Sequence, residues 1–571
     1  LNSLLSLYIW VPMGEVGLAF APIIESLAVL WLMVAAARLA GRAKTIALTA
    51  VGGFAGISIG FSAAEAFFRF YFARAFRPRG DIGMIRGALL LFFGDIGSVA
   101  DVLTPIVIAL IFLALAALGA GICVAGARLL QALAHPVGGM VVVTIVAIPI
   151  MLSVGLPASL TGGVTFGWIA RDEQFIAAAA APAAAFDSGD QTQGGPRAAY
   201  AFPGLLDRDI YVFAVEAYGY ATVARPELAE QIDPYRNELQ SVLRDHGYEV
   251  RSSYLESPVA GGYSWLAEAT ILTGRLVNSQ ERFLKLYDAN LPTLSGMLHQ
   301  GGYYTLTIRP GTVHGPWPEG WDLYRFQESI VAHEGDFGFE GPWFSYVPIT
   351  DQYAIWTGDS RIRELTAEGG EAEGLPVLAW YQLVSSHTPY NAIPPVIERW
   401  DDLGDGSIYN RRSDEIQRFD NTWTGGTELE EGFVAAIGYV FTVLTDYVDS
   451  VLNHDRSPIL IIFGDHQPQR PIRSPNAFLS VPIHVASQAP SVLDRFEAHG
   501  FEPGMKSDAE PPHPHMATFF ETFAAIAGGT DPVPEPGGGG AEAGAGVAAP
   551  SAGINQSGET PHVGTGSAAD E

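Results

Sequence analysis

Hydrophobic residues change their spacing along this sequence, and the changes divide it. Over the first ~160 positions they come in long, nearly unbroken blocks of Ala, Leu, Ile, Val, Gly and Phe, the pattern of helices with apolar surroundings on every side. Four blocks, at residues 17–37, 46–61, 102–125 and 137–156, approach the ~20 residues with which an α-helix crosses ~30 Å of hydrocarbon. The pattern predicts an N-terminal α-helical membrane domain over residues 1–160. The second block is the shortest and is rich in Gly. Glu25 interrupts the first, where a carboxylate either faces other helices and a polar cavity or serves a function. A cleaved signal peptide accounts for one such block, not four. The sequence opens on Leu1, which leaves room for a segment ahead of it and leaves the number of spans open.

Farther on the apolar runs shorten. Runs at 209–215, 375–384 and 459–463 alternate with stretches of helical periodicity, which predicts an α/β sheet domain over residues 208–530. Residues 161–207, with an Ala-, Gly- and Pro-rich stretch at 175–201, read as a linker between the two domains. Residues 531–571 are Gly, Ala, Pro and Ser with scattered acids. Such a segment cannot bury enough apolar surface to order itself, and no function is expected of it.

Charge and cysteine change this picture in two places. A net charge of −29 excludes nucleic acid as a partner, because phosphate backbones require clustered Lys and Arg. The single cysteine, Cys123, lies in an apolar block, so the α/β domain has no disulfide and cysteine says nothing about compartment.

In α/β sheets ligands bind beyond the carboxyl ends of the strands, so the residues that follow each run matter most. The run at 209–215 leads into Glu216. The run at 375–384 leads through Ser385 and Ser386 into His387. The run at 459–463 leads through Gly464 into Asp465 and His466. Taken alone, Glu216 also reads as a solvated or capping residue, and a lone His387 is uninformative. The adjacent Asp465–His466 says more, since a carboxylate with an imidazole suits Zn²⁺ or Mn²⁺ and leaves room for a substrate oxygen.

Three motifs together, Glu216 in VFAVEAYG, Asp465–His466 in IIFGDHQPQ and SWLAEATILTG at 264–274, resemble the alkaline phosphatase/sulfatase superfamily. Within it they resemble the membrane-bound phosphoglycerol and phosphoethanolamine transferases, with lipoteichoic acid synthase similar in layout. The resemblance spans residues 209–529 and implies an alkaline-phosphatase/sulfatase-like catalytic domain behind a helical membrane domain. Ile271, Thr273 and Gly274 stand at the family's offsets from Ser264, which falls on the nucleophile position. Leu266 and Glu268 replace the Pro or Ala and the Arg of true sulfatases, which argues against formylglycine and sulfate-ester chemistry. Ser264 also reads as the N-cap of the helix implied by SWLAEATIL.

The resemblance implies one divalent metal ion (Mn, Zn or Mg) held by Glu216, Ser264, Asp465 and His466. Ser264 and His387 become the catalytic residues, and His314, Trp321, Arg325, His387 and Arg470 the headgroup contacts. Arg325 comes two residues later than the family's Arg, and Arg470 stands where the family has Ser, so the identity of the headgroup stays open. The implied reaction draws on a phospholipid donor, passes through a phosphoserine and ends on a glycan or lipid acceptor. The alternatives are a phosphodiesterase or sulfatase that delivers to water, and a non-catalytic headgroup-binding sensor. His513 and His515 read as part of a Pro-rich loop before a last helix, with a second metal site as the alternative. His454 and Asp455 precede a strand and so lie at the wrong end.

The implied location is a bacterial inner or cell membrane, with the catalytic domain periplasmic or extracellular. The positive charges alone point the other way. Arg69, Arg74, Arg77, Arg79 and Arg86 fall in the second loop, against Arg38, Arg42, Lys44 and Arg128 in the first and third. Phe67, Phe68, Phe70, Tyr71, Phe72 and Phe76 interleave with those arginines, however, which suits a segment lying at the headgroup level. The second loop is therefore discounted, and the domain after residue 156 is expected outside. Reporters fused after Ala201 test this: alkaline phosphatase should be active there and green fluorescent protein dark. Fluorescence without phosphatase activity would reverse the topology.

Overall fold

The computed structural model describes residues 38–72 with a few positions just before them, most of 106–125, and 202–529 apart from residues 290, 314–317, 347, 423–424 and 474–477. Among the described residues an eight-stranded mixed sheet organises the α/β domain. Its strands are β1 (Ile210–Val215), β2 (Glu249–Glu256), β3 (Tyr304–Arg309), β4 (Glu328–Val331), β5 (Val377–Leu383), β6 (Ile459–Gly464), β7 (Ser480–Ser487) and β8 (Glu502–Pro503). Their order is β8-β2-β7-β6-β1-β5-β3-β4. The block from β6 to β4 is parallel, whereas β7 runs antiparallel to both β6 and β2.

Central strand β1 reads IYVFAV and is buried throughout. A parallel strand covered on both faces needs no polar alternation, which is why it appears in the sequence as a continuous apolar run. Its period of two survives in the packing. Tyr211, Phe213 and Val215 enter one core, and Ile210, Val212 and Ala214 enter the other. Helix α1 (Gly41–Phe72) lies in the N-terminal region. In the α/β domain, α2 (Pro226–Asp245) contributes Leu228, Ile232 and Leu239 to the first core, and α3 (Ser264–Thr273) contributes Leu266, Ala267 and Ala269 to the second. Two longer helices, α4 (Asp351–Thr366) and α5 (Leu429–Ser450), complete the first layer. Among the described residues α5 is the one helix that passes a length-and-hydropathy test for crossing a membrane. Of its most apolar 18-residue window 67% is buried, in the first core and packed with α2 and α4, so it is a core helix.

The second expected span, 46–61, falls inside α1, and the third, 102–125, is described in part, including the apolar helical stretch Ala109–Ile122. The fourth span, the first apart from residues 32, 35 and 36, Glu25, the linker up to residue 201, Cys123, the arginines beyond Phe72 and the tail lie outside the described residues. The end of the linker joins the domain, with Leu205 buried in its second core. Where α1 meets the later stretch, glycine permits backbone-to-backbone contact. A Cβ at Gly56 would lie 1.9 Å from the Leu115 carbonyl oxygen, and one at Gly119 would lie 2.0 Å from that of Gly52. Gly52, Gly56 and Gly60 recur at intervals of four, the spacing by which helices in lipid approach closely.

One buried ion pair pins α3 to the sheet. Glu268, fully buried, receives the Arg309 guanidinium at 2.5 Å from the end of β3, and that guanidinium also lies 4.7 Å above the Tyr324 ring. Such a pair adds little over a well-packed apolar replacement, because desolvation offsets the attraction, but removing one partner strands the other charge. Glu268→Ala should therefore destabilise the domain by about 3–5 kcal/mol, and Glu268→Met with Arg309→Met should recover most of the loss. Denaturant unfolding followed by tryptophan fluorescence reads both, and a double variant no more stable than the single one would contradict the account.

Candidate metal and nucleophile site

The pairing register delivers the site. Val215 pairs with both Leu383 and Gly464, so the residues that continue β1, β5 and β6 leave the sheet side by side. Glu216 prolongs the ladder by donating its N–H to the Leu383 carbonyl at 3.1 Å. The chain then turns sharply at Ala217, whose φ of 58° is left-handed, a strained conformation for a residue with a Cβ. Next to this turn β6 ends on Gly464, where a Cβ would stand 1.8 Å from the Tyr218 carbonyl oxygen. Only glycine lets the two exits lie this close.

The result is a buried cluster. Glu216, Asp465 and His466 are 4%, 2% and 1% exposed, and one ligand atom from each lies within 4.8 Å of the others. His466 Nε2 stands 3.1 Å from Glu216 Oε1 and 3.7 Å from Asp465 Oδ2. Asp465 Oδ1 accepts the N–H of Ala217 at 2.9 Å and that of His466 at 2.6 Å, which leaves Oδ2 to the cluster. His466 Nδ1 lies 2.9 Å from the Gln467 carbonyl, so Nδ1 carries a proton and Nε2 points inward. Ser264 Oγ donates to Glu216 Oε2 at 2.8 Å and lies 3.4 Å from His466 Nε2. The capping expectation for Ser264 needs correction. The helix is capped by Tyr263, in a left-handed conformation at φ 72°, and Ser264 is its first residue, with its hydroxyl engaged at the cluster.

Charge in this cluster is out of balance. Burial would raise the Glu216 carboxyl, yet His387 and His466 together hold it down at about 2. Burial, and then repulsion from Glu216, push Asp465 up to about 8. Burial works against the His466 imidazolium, but Asp465 and Glu216 raise it to about 9. Two carboxylates thus share one imidazolium, and Asp465 resists ionisation. A divalent cation would correct this, and the donor set fits one: two carboxylates, and an imidazole oriented by a backbone carbonyl.

The remaining expected residues are placed unevenly. His387 joins the rim, with Nε2 3.9 Å from Glu216 Oε1, and burial lowers its pKa. Arg470, buried after β6, is likewise lowered by burial. Arg325, at φ 58°, packs its stem against Gly296, where a Cβ would meet Arg325 Cδ at 3.4 Å. Trp321 is on the short helix Pro318–Tyr324, with its side chain outside the described residues, and His314 lies outside them altogether. His513 is occupied elsewhere, bonded to Ser480 Oγ at 2.7 Å and the Ala509 carbonyl at 3.1 Å, ahead of the last helix, α6 (Thr518–Gly528). Sequence reasoning missed Ser386, which donates to the Glu216 carbonyl at 2.6 Å, and Ser257, which donates to that of Asp465 at 2.7 Å. Both are supports for the ligands, and nothing in their local sequence marks them.

No family model matches the chain, and no curated protein matches it. Solved structures do. The lipoteichoic acid synthase LtaP from Listeria monocytogenes is similar at 15% identity and a TM-score of 0.33, over 50% of this chain and 66% of that one. The chain thus spans slightly less than two thirds of that protein's length. The C-terminal periplasmic domain of EcEptC from Escherichia coli, in complex with Zn, is similar at 12% identity and a TM-score of 0.35, over 56% of this chain and 82% of that one. The integral membrane protein lipooligosaccharide phosphoethanolamine transferase A (EptA) from Neisseria meningitidis is similar at 11% identity and a TM-score of 0.45, over 92% of this chain and 95% of that one.

Proposed function

We propose that the chain is a membrane-anchored, metal-dependent phosphotransferase. It would move a phospholipid headgroup, phosphoglycerol or phosphoethanolamine, through Ser264 to a glycan or lipid acceptor outside the membrane. The observation that carries this reading is the Ser264 hydroxyl, hydrogen-bonded at 2.8 Å to one carboxylate of a buried Glu–Asp–His cluster. A cation (Mn, Zn or Mg) held by Glu216, Asp465 and His466 would supply Lewis-acid polarisation of the phosphoryl group and of the Ser264 hydroxyl.

Each residue of the chain then has a separate task. With its carboxyl held at about 2, Glu216 stays ionised at neutral pH and orients Oγ without retaining its proton. As Ser264 Oγ attacks, the Oγ–P bond forms and the bond from phosphorus to the diacylglycerol oxygen breaks. The proton lost by Oγ balances the one gained by that oxygen. Ser264 opens α3, so the positive end of the helix faces the phosphoryl oxygens. In the second displacement the acceptor oxygen bonds to phosphorus as the P–Oγ bond breaks; His387, kept neutral by burial, accepts the acceptor's proton, and Ser264 Oγ regains one. Arg470, Arg325, His314 and Trp321 are assigned to the headgroup, the arginines as clamps on phosphate oxygens. The glycine-lined contact of α1 supports an anchor in lipid, multi-pass in a bacterial inner or cell membrane.

Full-length protein given a headgroup-labelled phospholipid should release diacylglycerol and become labelled, and Ser264→Ala should lower both by roughly a thousandfold or more. Undiminished release in Ser264→Ala would remove the covalent route. Free phospho-headgroup as the sole product, with cell glycans supplied, would make the protein a hydrolase.

The shifted groups give a second expectation. Without metal at pH 7, His466 (about 9) and Asp465 (about 8) both hold protons that a cation must displace. Raised pKa values make the proton the competitor, so affinity should climb as pH rises. Binding near neutrality should release protons, and the affinity should rise with pH there. Calorimetry of Zn²⁺ or Mn²⁺ binding in buffers of different ionisation enthalpy counts the protons, and a count near zero would contradict the electrostatics.

A further inference from the structure

The loop that carries His387 is gripped by residues at and just ahead of the start of α4. Asp351, the first residue of that helix, is fully buried, and its Oδ1 accepts the N–H of Val384 at 2.7 Å and of Ser385 at 3.0 Å. Ser385 Oγ accepts the Asp351 N–H at 3.0 Å in return, and Ser345 Oγ donates to the His387 carbonyl at 3.5 Å. On the opposite side Gln469, three residues after His466, donates through Nε2 to Thr388 Oγ1 at 2.8 Å. The backbone around His387 is thus fixed from two directions.

The imidazole needs a further constraint. His387 Nδ1 lies 2.6 Å from the Thr388 carbonyl. A carbonyl can only accept, so Nδ1 carries the proton and Nε2 presents its lone pair on the side of Glu216. That hydrogen bond selects the tautomer and restrains the ring at one edge, whereas the torsion joining an imidazole to its Cβ is intrinsically broad. What braces the face of the ring is Tyr346. Its ring lies flat on the imidazole, centroids 3.7 Å apart and planes 11° from parallel. Rotation of either ring would drive edge atoms into the facing surface.

We propose that Tyr346 is a positioning residue that sets the plane of the His387 ring and so aims Nε2 at the Glu216–Asp465–His466 site. The proposal rests on His387 acting in the transfer reaction set out above. Tyr346 itself is assigned no contact with the reacting atoms. A ring that only filled core would matter in proportion to its bulk, whatever stands at residue 387. A positioning ring matters only while a histidine is there to be aimed.

The test uses full-length protein in phospholipid nanodiscs, comparing Tyr346→Phe, Tyr346→Leu, His387→Gln and the Tyr346→Leu/His387→Gln double variant. Tyr346→Phe keeps the stack and should stay within about threefold of the parent, whereas Tyr346→Leu should lower kcat roughly tenfold with KM little changed. In the His387→Gln background the same leucine should change turnover by no more than about twofold. Losses that multiply in the double variant, or Phe as damaging as Leu, would overturn the proposal. A second readout is independent of turnover. Diethyl pyrocarbonate should modify His387, followed by peptide mass spectrometry, severalfold faster in Tyr346→Leu than in the parent or Tyr346→Phe, and equal rates in all three would also overturn it. If the parent releases no diacylglycerol the transferase reading fails, and the modification rates still decide the role of Tyr346.

Discussion

The structure depends on keeping two buried carboxylates side by side. Glu216 and Asp465 follow paired residues of neighbouring parallel strands, and both are almost wholly buried. Were both ionised, like charges ~4 Å apart would repel by about 4 kcal/mol even at an effective dielectric of ~20. That is a large fraction of the ~5–15 kcal/mol by which a domain is stable. The surroundings therefore read as countermeasures. Asp465 takes two backbone N–H groups, Glu216 takes the Ser264 hydroxyl, and His466 lends its positive charge to both. Asp465 is nonetheless pushed up by burial and its neighbour, so the countermeasures are incomplete, and the donor set could hold a cation.

This demand explains local backbone that would otherwise be expensive. Ala217 and Tyr263 adopt left-handed conformations next to Glu216 and Ser264, and a side chain at Gly464 would collide with Tyr218. Strain of this kind persists where surrounding structure over-determines it. At Ala217 it turns the N–H toward Asp465, and at Tyr263 it starts α3 with Ser264 already facing Glu216. The supports are a layer deeper. Ser386 and Ser257 hold the carbonyls of Glu216 and Asp465, so each ligand is fixed at its backbone as well as by its head group.

Which of these features the sequence displays follows from their range. Strands buried on both faces are continuous apolar runs, so β1, β5 and β6 stand out, and the residues after them mark the ligand end of the sheet. Their adjacency is not legible, because β1 and β6 are far apart in the chain and only the register joins them. Ser264 is found by motif offsets, but its engagement with Glu216 rather than a cap depends on the conformation of Tyr263. Tyr346, Asp351 and Ser386 are invisible for a similar reason. The first two act on a loop more than thirty residues away, and Ser386 reaches a carbonyl 170 positions earlier. Helix α5 gives a reverse lesson, since length and hydropathy alone fit a membrane span and only its burial identifies it as core.

Glu268 bears on the choice of chemistry. It occupies the position where sulfatases carry an arginine, and its side chain is drawn into the core by Arg309 from β3, forming a pair that presents no net charge. In the transfer reaction proposed above, a donor anion would then find its positive partners elsewhere, at the opening of α3, at a bound cation and at loop cations such as Arg470. In that reaction, whether the group passed to an alcohol or to water would be a matter of concentration at a phosphoserine. Water is present at roughly 55 M, whereas a hydroxyl held in attacking geometry can act at an effective molarity of about 10⁵ M or more. An acceptor bound for even a small fraction of the intermediate's lifetime would outcompete solvent, without any lid to exclude it. His387 favours this outcome only if its Nε2 is aimed at the acceptor oxygen, because a misdirected base activates whichever molecule happens to be near. If the proposed reaction holds, the plane of one imidazole ring would be part of the difference between a transferase and a hydrolase.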